Sequence, residues 1–580
     1  MQNGIDWFTV YSNDPHLSEY TAQCDRYREK ISGFTGSAGT LLVGYDESYL
    51  WTDSRYFLQA AEELDGSPIT LMRSGESGVP TLEGFLREHM WDGQVLAFDK
   101  KTISYGDYKR LAKTLPDSTR IVDGAAVLKD LIDKRRDFSG IHDVPIDHCG
   151  KSTGEKLKSL RTGISKKFPQ DKTYTYIISD LTSIMWLFNL RGDDIVHVPV
   201  AYSYACITAH EATLYLSRKS LSPEAVKMLE EAGVGVREYS EFYKALGDVA
   251  TDIVIADPYK NNARILENFD TEGMLEECID HELIRKPVKN STEIKGMENA
   301  HIKDAVTMIR FIKAVKEKAA ANDLNNEYEL GAFLDDMRLQ NGCSDLSFDT
   351  ICAYAHNAAI VHYTAQKDTS ADIQPHGLLL VDSGGQYRFE GTTDITRTIC
   401  LGEITEEEKK AYTTVLRANL RLMDMIFPEG SKGVLLDAAA EEILWENGYY
   451  CGHGIGHGVG CYLSVHESEA RISRIAGREC GLVPGIIVSD EPGVYVEGKF
   501  GVRLENLLLV TAAGKIEEHN MCRFTPLTLV PFDVEAVDRS MLSKRETEIL
   551  LGYNRLIWEK VSPFLEEDEK DWLKENIDID

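Results

Sequence analysis

The length of the chain is the strongest constraint on its fold. A single hydrophobic core stops growing at about 250 to 300 residues, and longer chains divide into domains. A chain of 580 residues is therefore expected to form two or three domains. Its hydrophobic content of 43% is that of packed globular domains. No apolar run approaches the roughly 18 residues that a membrane span needs, so we expect a soluble protein.

The net charge and the N-terminal segment indicate which partners and which cellular location to expect. The net charge of −31 argues against nucleic acid as a partner, because nucleic acid binds clustered positive charge. The first residues contain no basic segment followed by an apolar core, so the sequence predicts a cytoplasmic protein. The eleven cysteines are scattered singly, which favours reduced thiols over a disulfide framework or a zinc site.

Alternating strand and helix patterns predict an α/β fold in three domains, at residues 1–132, 146–285 and 290–580. The segment from Lys286 to His301 is the predicted boundary of the third domain. Apolar residues recur at helical spacing from Ile302 to Val315, so we expect the third domain to open with a helix there. Residues with catalytic chemistry are dense only beyond this helix.

Two aspartates flank a predicted hairpin in the third domain. Asp382 ends the apolar strand GLLLVD, and Asp394 lies in the returning strand TDITRTIC. Alternation places Asp394, Thr396 and Thr398 on one face of that strand, so a hairpin can aim both aspartates at one point. A single aspartate of this kind is more often a turn or strand-edge residue.

Three histidines lie in the glycine-rich segment CGHGIGHGVGCYLSVHE: His453, His457 and His466. Glycine removes side-chain bulk, so backbone or substrate can approach closely between the imidazoles. One histidine alone is usually structural, whereas three in such a frame favour a functional site.

Two glutamates complete the group. Glu491 ends the strand GIIVSDE, and Pro492 and Gly493 turn the chain at once. Glu505 is predicted to lie inside the apolar strand FGVRLENLLLV, on the same face as Arg503. A glutamate there is costly unless it is paired, hydrogen-bonded or bound to a metal, and an ion pair with Arg503 is the structural alternative.

The carboxylates Asp382, Asp394, Glu491 and Glu505 together predict a pair of metal ions. Four unpaired negative charges could not share one partly buried pocket, whereas two divalent cations cancel them. Oxygen-rich ligation with one histidine suits Mn²⁺ best, with Co²⁺, Fe²⁺ or Zn²⁺ as alternatives.

The same segments resemble a known family. DSGGQYRFEGTTDITRT, HGIGHGVG, SDEPGVY and GVRLEN look like the metal-binding segments of the aminopeptidase P and prolidase family, which also includes creatinase and methionine aminopeptidase. GFTGSAGTLLV, LWTDSRYFLQA and LFNLRGDDI extend the resemblance, across nearly the whole chain, to the three-domain, eukaryote-type form. The resemblance implies two creatinase-like α/β domains followed by a pita-bread catalytic domain.

The resemblance assigns five metal ligands: Asp382, Asp394, His457, Glu491 and Glu505. Asp382 would bind one metal, and His457 and Glu491 the other. Asp394 and Glu505 would bridge the two metals.

The resemblance also assigns residues to substrate and proton handling. His362 and His466 would contact substrate and act in catalysis, and Glu491 would transfer a proton. His453 would lie near the proline-binding side. Arg503 would orient the carboxylates from outside the ring of ligands.

The sequence departs from the family pattern at two places near the site. The interval from Asp382 to Asp394 is one residue longer than usual, so the connecting turn is expected to bulge. Ala355 and His356 stand where a glycine and a small or polar residue are usual, which would reshape the rim of the substrate site.

The implied activity is metal-assisted hydrolysis that releases the first residue from peptides with proline in second position. Water activated by both metals would attack, Glu491 would pass on its proton, and His466 or His362 would stabilise the tetrahedral intermediate. A site that offers no partner for an amide N–H, beside a flat apolar pocket, would favour proline. The resemblance further implies a homodimer.

Three alternatives remain open. A prolidase would take dipeptides and would need a positive group for their free carboxylate. A creatinase-like amidinohydrolase works without the metal ligands, which are all present here. A catalytically silent interaction module of the same fold usually lacks one or more of those ligands.

Overall fold

The structure is a computed structural model that describes residues 4–129, 131–132, 138–475 and 477–578. The chain forms two compact units, Met1–Ile146 with Lys151–Lys286, and Asp147–Gly150 with Pro287–Asp580. The first unit therefore contains both predicted N-terminal domains, and their separation into two domains stays a prediction. Within the described residues, no helix is long and apolar enough to cross a membrane.

The first unit opens with a six-stranded sheet. Strands β1 to β6 are Trp7–Tyr11, Thr40–Val43, Ser48–Thr52, Ile69–Arg73, Val95–Phe98 and Arg120–Asp123. They lie in the order β4-β3-β2-β1-β5-β6, with β2 antiparallel to both of its neighbours and the other pairs parallel. Helices α1 to α5 are Tyr27–Ser32, Phe57–Glu63, Leu82–His89, Tyr105–Thr114 and Ala125–Leu128.

A second sheet follows with the same plan. Strands β7 to β14 are Ile141–Asp143, Tyr174–Ile178, Leu190–Gly192, Tyr204–Ile207, Ala212–Leu216, Val234–Glu238, Ile253–Ala256 and Leu275–Glu277, of which β7 and β9 form a separate pair. The order is β12-β11-β10-β8-β13-β14, and only β10 is antiparallel to its neighbours. The two sheets therefore repeat one α/β topology. Helices α6 to α12 are Ile146–Cys149, Thr153–Lys167, Leu181–Leu187, Pro223–Glu231, Phe242–Ala245, Ala263–Thr271 and Asp280–Ile284.

The second unit begins with a long helix. Helices α13 to α18 are Ser291–Ala320, Glu327–Gln340, Glu406–Met423, Gly433–Glu446, Lys544–Val561 and Glu567–Asn576. The expectation that the first of these starts near Ile302 is wrong, because α13 already begins within the predicted boundary segment. The Asn290 side chain accepts hydrogen bonds from the backbone of Thr292 and Glu293, and Glu293 bonds back to the Asn290 N–H. This capping box fixes the start of the helix.

Two larger sheets pack against these helices. Strands β15 to β28 are Asp345–Leu346, Ile351–Tyr354, Leu378–Ser383, Gly385–Tyr387, Gly391–Thr392, Ile395–Cys400, Ile426–Pro428, Gly456–Gly458, Glu467–Ile472, Ile487–Asp490, Gly493–Val496, Phe500–Arg503, Asn506–Ile516 and His519–Pro526. The orders are β16-β17-β20 and β21-β28-β27-β24-β22-β23, beside the small sheets β15-β18-β19 and β25-β26. One apolar core contains residues of α13 to α18, of the sheet β16-β17-β20 and of the six-stranded sheet. The strands of both sheets are therefore held in place by the packing of this core.

The hairpin between the two site aspartates is wider than a two-residue turn. Tyr387 pairs with Gly391, so Arg388, Phe389 and Glu390 form the turn. Phe389 lies in the left-handed region at φ 63°. The pairing of β18 with β19 shows no register shift, so it is in the turn that the chain departs from regular geometry.

Candidate metal centre

Asp382 and Asp394 converge across two neighbouring strands. Asp382 lies opposite Thr396 in the antiparallel pair of β17 and β20, and Asp394 directly precedes β20. Their exposed fractions are 8% and 4%. Burial raises the pKa of Asp382, and the charge on Asp394 adds to this shift, so the two carboxyl groups lie near each other. The antiparallel pairing expected of the hairpin is therefore present.

Glu505 lies between two strands rather than inside one. Strand β26 ends at Arg503, β27 starts at Asn506, and the two strands belong to different sheets. The prediction of one continuous strand is therefore wrong. The Glu505 N–H donates to the Thr396 carbonyl at 3.0 Å, so this residue follows the edge of β20 as the chain changes sheets.

Arg503 pairs with Asp382 and not with Glu505. Its Nη2 donates to Oδ2 of Asp382, and its Nε donates to the Thr396 hydroxyl at 3.0 Å. That hydroxyl in turn donates to Oε2 of Glu505 at 2.9 Å. Arg503 and Glu505 therefore do not form the ion pair that was the structural alternative to metal binding.

His457 lies between two of the carboxylates. Its Nε2 is 3.4 Å from Oδ2 of Asp394 and 3.4 Å from Oε1 of Glu491. Its Nδ1 is 2.9 Å from the Gly458 carbonyl. A proton on Nδ1 would satisfy that carbonyl and leave the Nε2 lone pair directed at the carboxylates, as metal-binding histidines require.

Ser489 ties His457 to Glu491. Its hydroxyl accepts from the His457 N–H at 2.9 Å and donates to Oε1 of Glu491 at 3.1 Å. The close packing of this region depends on Gly456, since a Cβ there would meet the Ser489 carbonyl oxygen at 2.1 Å. The sequence analysis expected such close approach in the glycine-rich segment, but it did not identify Ser489.

The pocket holds more negative charge than its protein neighbours neutralise. Burial raises the pKa of Asp382 to about 6, although Arg503 opposes this shift. Burial, followed by the charges on Asp394 and Glu491, raises the pKa of Glu505 well above its usual range. Burial alone would lower the pKa of His457, but Asp394 and Glu491 raise it to about 9. All three shifts favour added positive charge in the pocket.

The donor set fits divalent cations. Oδ1 of Asp382 and Oε1 of Glu505 have no hydrogen-bond partner among the described residues, although both are buried. Ligand atoms of Asp394, His457 and Glu505 all lie within 4.8 Å of one another. Two ligand atoms about 2.1 Å from one cation at a tetrahedral angle are about 3.4 Å apart, which is the spacing of His457 Nε2 from both neighbouring carboxylates.

The remaining histidines lie around this cluster. The ring centroid of His466 is 4.4 Å from that of His457. His453 Nε2 is 2.7 Å from the Tyr495 hydroxyl, which also accepts from Arg503 at 2.8 Å. His362 is half-buried and follows Val361, whose carbonyl accepts from Arg503 at 3.4 Å.

Three residues near the cluster were missed as site residues: Thr396, Ser489 and Tyr495. Alternation had already placed Thr396 on the face of Asp394, so a signal for it existed in the sequence. Ser489 stands two residues before Glu491, so the same alternation offered a signal for it. Tyr495 carries no such signal, because its partners His453 and Arg503 lie elsewhere along the chain.

Known families match along most of the chain. Residues 3–131 and residues 135–293 each match the Creatinase/Prolidase N-terminal domain. Residues 295–512 match metallopeptidase family M24, and residues 520–578 match the C-terminal region of that peptidase.

Individual proteins match over the full length. The probable Xaa-Pro aminopeptidase P of Talaromyces marneffei is 37% identical over 99% of this chain and 90% of that protein. The probable Xaa-Pro aminopeptidase P of Botryotinia fuckeliana is 36% identical over 100% of this chain and 91% of that protein. The crystal structure of the Caenorhabditis elegans X-prolyl aminopeptidase, described as a cytosolic enzyme with a di-nuclear active site, superposes with a TM-score of 0.93. It is 30% identical and covers 99% of this chain and 95% of its own.

These matches confirm the predicted architecture of two creatinase-like domains followed by a pita-bread domain. The chain belongs to metallopeptidase family M24 and, within it, to the Xaa-Pro aminopeptidase P group of metallo-exopeptidases.

Proposed function

We propose that this chain releases the N-terminal residue from peptides with proline in second position, and that two divalent cations serve the reaction. The cluster of Asp394, His457, Glu491 and Glu505, with carboxylate oxygens that lack donors among the described residues, carries the proposal. Arg503 and Thr396 link Asp382 to this cluster. The full-length likeness to the C. elegans X-prolyl aminopeptidase supports the same substrate class. In this proposal Asp382, Asp394, His457, Glu491 and Glu505 hold the cations.

The chain's own residues supply the proton transfers. When bound, a pair of divalent cations supplies Lewis acidity and lowers the pKa of a water molecule towards neutrality. Glu491 takes the proton of the attacking water, and the Ser489 hydroxyl orients its Oε1. His466 or His362 donates a hydrogen bond to the carbonyl oxygen of the substrate as that oxygen gains charge. Arg503 keeps Asp382 oriented, and His453 lies towards the proline side.

We further propose Mn²⁺ as the metal, a cytoplasmic location and a homodimer. The oxygen-rich donor set with one histidine supports Mn²⁺. The description of the C. elegans relative as a cytosolic enzyme supports the location. The family resemblance supports the dimer, which sedimentation of the purified protein tests directly.

Peptide cleavage after metal removal tests the proposed function. The protein is chelated, dialysed and assayed with an Xaa-Pro-Yaa tripeptide and an Xaa-Pro dipeptide, before and after Mn²⁺ is added back. We expect no cleavage by the chelated protein, recovery with Mn²⁺, and faster turnover of the tripeptide. Faster turnover of the dipeptide would instead identify a prolidase. A folded protein that neither retains Mn²⁺ nor cleaves either peptide would be a silent module.

A further inference from the structure

Glu327 is a buried carboxylate outside the metal centre. It is the first residue of α14, and its exposed fraction is 0%. No lysine or arginine among the described residues pairs with it; hydrogen-bond donors surround it instead. A carboxylate buried in this way is costly unless such donors stabilise it.

Four donor groups contact the Glu327 carboxylate. Oε1 accepts from the Tyr354 N–H at 2.6 Å, and Oε2 accepts from the Tyr363 hydroxyl at 2.7 Å and the Ala371 N–H at 2.8 Å. The Asn357 amide contacts both oxygens, at 3.1 and 3.0 Å. None of these donors belongs to the helix that carries Glu327, so the carboxylate fastens other segments to α14.

Two of these donors lie in the segment that carries His362. We call residues 355–363 the His362 segment. Asn357 and Tyr363 belong to it, and they also contact each other at 3.1 Å. Tyr354, whose N–H bonds to Glu327, immediately precedes the segment. Glu327 therefore holds this segment at its start, in its first turn and at its end.

The His362 segment needs such fastening because its backbone is strained. Ala355 lies at φ 50°, in the left-handed region that disfavours residues with a Cβ. The segment also packs closely on β26, since a Cβ at Gly501 would meet the Ala358 carbonyl oxygen at 1.8 Å. On this side Arg503 donates to Val361, next to His362.

We propose that Glu327 is a positioning residue for catalysis: it fixes the His362 segment against the metal centre, so that His362 meets the substrate in the correct place. The inference rests on the proposed function. Arg503 and Glu327 fasten the segment from opposite sides, one from the metal centre and one from α14. Loss of the Glu327 carboxylate leaves buried donors without an acceptor, and the strained backbone can then relax.

A double-mutant cycle tests whether Glu327 acts through His362. The variants are Glu327→Gln, His362→Ala and the double variant, with Glu329→Gln as a control from the same helix turn with an exposed side chain. We expect Glu327→Gln to lower kcat by about 10- to 100-fold, with bound Mn²⁺ unchanged. In the His362→Ala background the same change should lower kcat by less than about 2-fold. Equal losses in both backgrounds would show that Glu327 is merely structural and would overturn the proposal.

Hydrogen exchange tests the same fastening without any assay of activity. In Glu327→Gln we expect amides of residues 351–363 to exchange at least 10-fold faster, while those of β17 and β20 keep the wild-type rate. Unchanged exchange at 351–363 would overturn the proposal. If the wild-type protein fails to cleave Xaa-Pro peptides, the proposed function falls, yet this measurement still decides whether Glu327 holds the segment.

Tyr363→Phe covers the case in which Glu327→Gln does not fold. It removes one hydroxyl and leaves the carboxylate and its other three donors in place. We expect a smaller change in the same direction, with faster exchange at residues 355–363 and a kcat lowered about 2- to 10-fold. Wild-type exchange and wild-type kcat in this variant would contradict the proposal.

Discussion

The second unit buries two glutamates in opposite ways. Glu327 and Glu505 are both at most 1% exposed. Glu327 accepts hydrogen bonds from four donor groups, whereas Glu505 accepts one side-chain hydrogen bond, from Thr396, and its Oε1 has no partner among the described residues. Hydrogen bonds satisfy the Glu327 carboxylate without a cation, whereas the Glu505 carboxylate keeps an oxygen that they do not satisfy. Burial alone therefore does not identify a metal ligand, but burial with missing donors beside other carboxylates does.

A third arrangement in the same unit supports this distinction. Asp304 is also buried, and it pairs with the fully buried Arg338 at 2.7 Å and accepts from the Tyr387 hydroxyl at 3.0 Å. The guanidinium group of Arg338 neutralises the Asp304 carboxylate, as a metal ion would.

The largest effect is expected at the carboxylate that transfers a proton. Glu491→Gln keeps the size of the side chain but removes its basicity, so kcat for an Xaa-Pro-Yaa peptide should fall about 1000-fold. Steady-state kinetics at saturating Mn²⁺ measures this. The exposed Glu497, five residues after Pro492, provides the control Glu497→Gln, which should keep wild-type kcat. A Glu491→Gln variant with more than a tenth of the wild-type kcat would exclude this role.

A smaller loss is expected when the one side-chain donor to Glu505 found among the described residues is removed. The Thr396 hydroxyl links Arg503 to Glu505, so Thr396→Val should weaken Mn²⁺ binding about 10- to 100-fold. The Mn²⁺ dependence of activity, or direct titration, measures the affinity. Thr398→Val is the matched control, because in the described part of the chain the Thr398 hydroxyl bonds only to the backbone of Arg503. Equal affinities in the two variants would show that Thr396 does not orient the ligand.

The stability of the chelated protein should separate the two glutamates directly. Glu327→Gln is expected to cost about 2 to 3 kcal/mol, because it disturbs hydrogen bonds to a buried charge. Glu505→Gln should instead stabilise the chelated protein by about 1 kcal/mol, since it removes a carboxylate that repels its neighbours. Thermal unfolding with and without Mn²⁺ measures the stability of both variants. Glu505→Gln, which stabilises the chelated protein, should destabilise the protein when Mn²⁺ is present. If both variants destabilise the chelated protein, the proposed difference between Glu327 and Glu505 is wrong.

The last variant lies at a buried carboxylate of the first unit, where the effect is expected to depend on pH. Asp280 accepts from the Tyr176 hydroxyl at 2.5 Å, but its Oδ2 has no partner among the described residues. Burial and the charge on Asp257 raise the pKa of Asp280 to about 8. Because the folded pKa lies above the unfolded one, its stabilisation is complete below about pH 4 and is lost as pH rises through about 8. We therefore expect this buried carboxyl group to hold a proton around neutral pH.

Thermal unfolding across pH tests this behaviour of Asp280. Relative to wild type, Asp280→Asn should gain stability as pH rises from 5 to 8, at a slope of up to about 1.4 kcal/mol per pH unit. Asp171→Asn, at an exposed position of the same unit, should show no such trend. A pH-independent difference between wild type and Asp280→Asn would mean that Asp280 is ionised throughout.

The positions of the cluster residues along the chain were predictable because local patterns define them. The apolar runs before Asp382 and Glu491 form β17 and β24. The glycine-rich segment places His457 beside Glu491. Local patterns failed where the chain leaves one sheet for another. Between Arg503 and Asn506 the strand alternation breaks, so the predicted relation of Arg503 to Glu505 was wrong.

Glu327 could not be recognised from the sequence at all. It follows the helix-capping residue Asn326, where an acidic residue commonly interacts favourably with the helix dipole. Nothing in that local pattern indicates burial or four donors. Similarly, α13 was expected too late because the Asn290 and Glu293 capping box was overlooked in favour of apolar spacing.

Local patterns in the chain are enough to predict the residue types, most of the strand ends that carry them and the family. Which buried carboxylate receives hydrogen-bond donors, and which is left to a cation, depends on tertiary packing. The Arg503 pair with Asp382 spans 121 residues, and the Thr396 bond to Glu505 spans 109. Such partners are chosen by the packing of distant strands, since a hydrogen bond depends on distances of a few tenths of an ångström that no local pattern encodes.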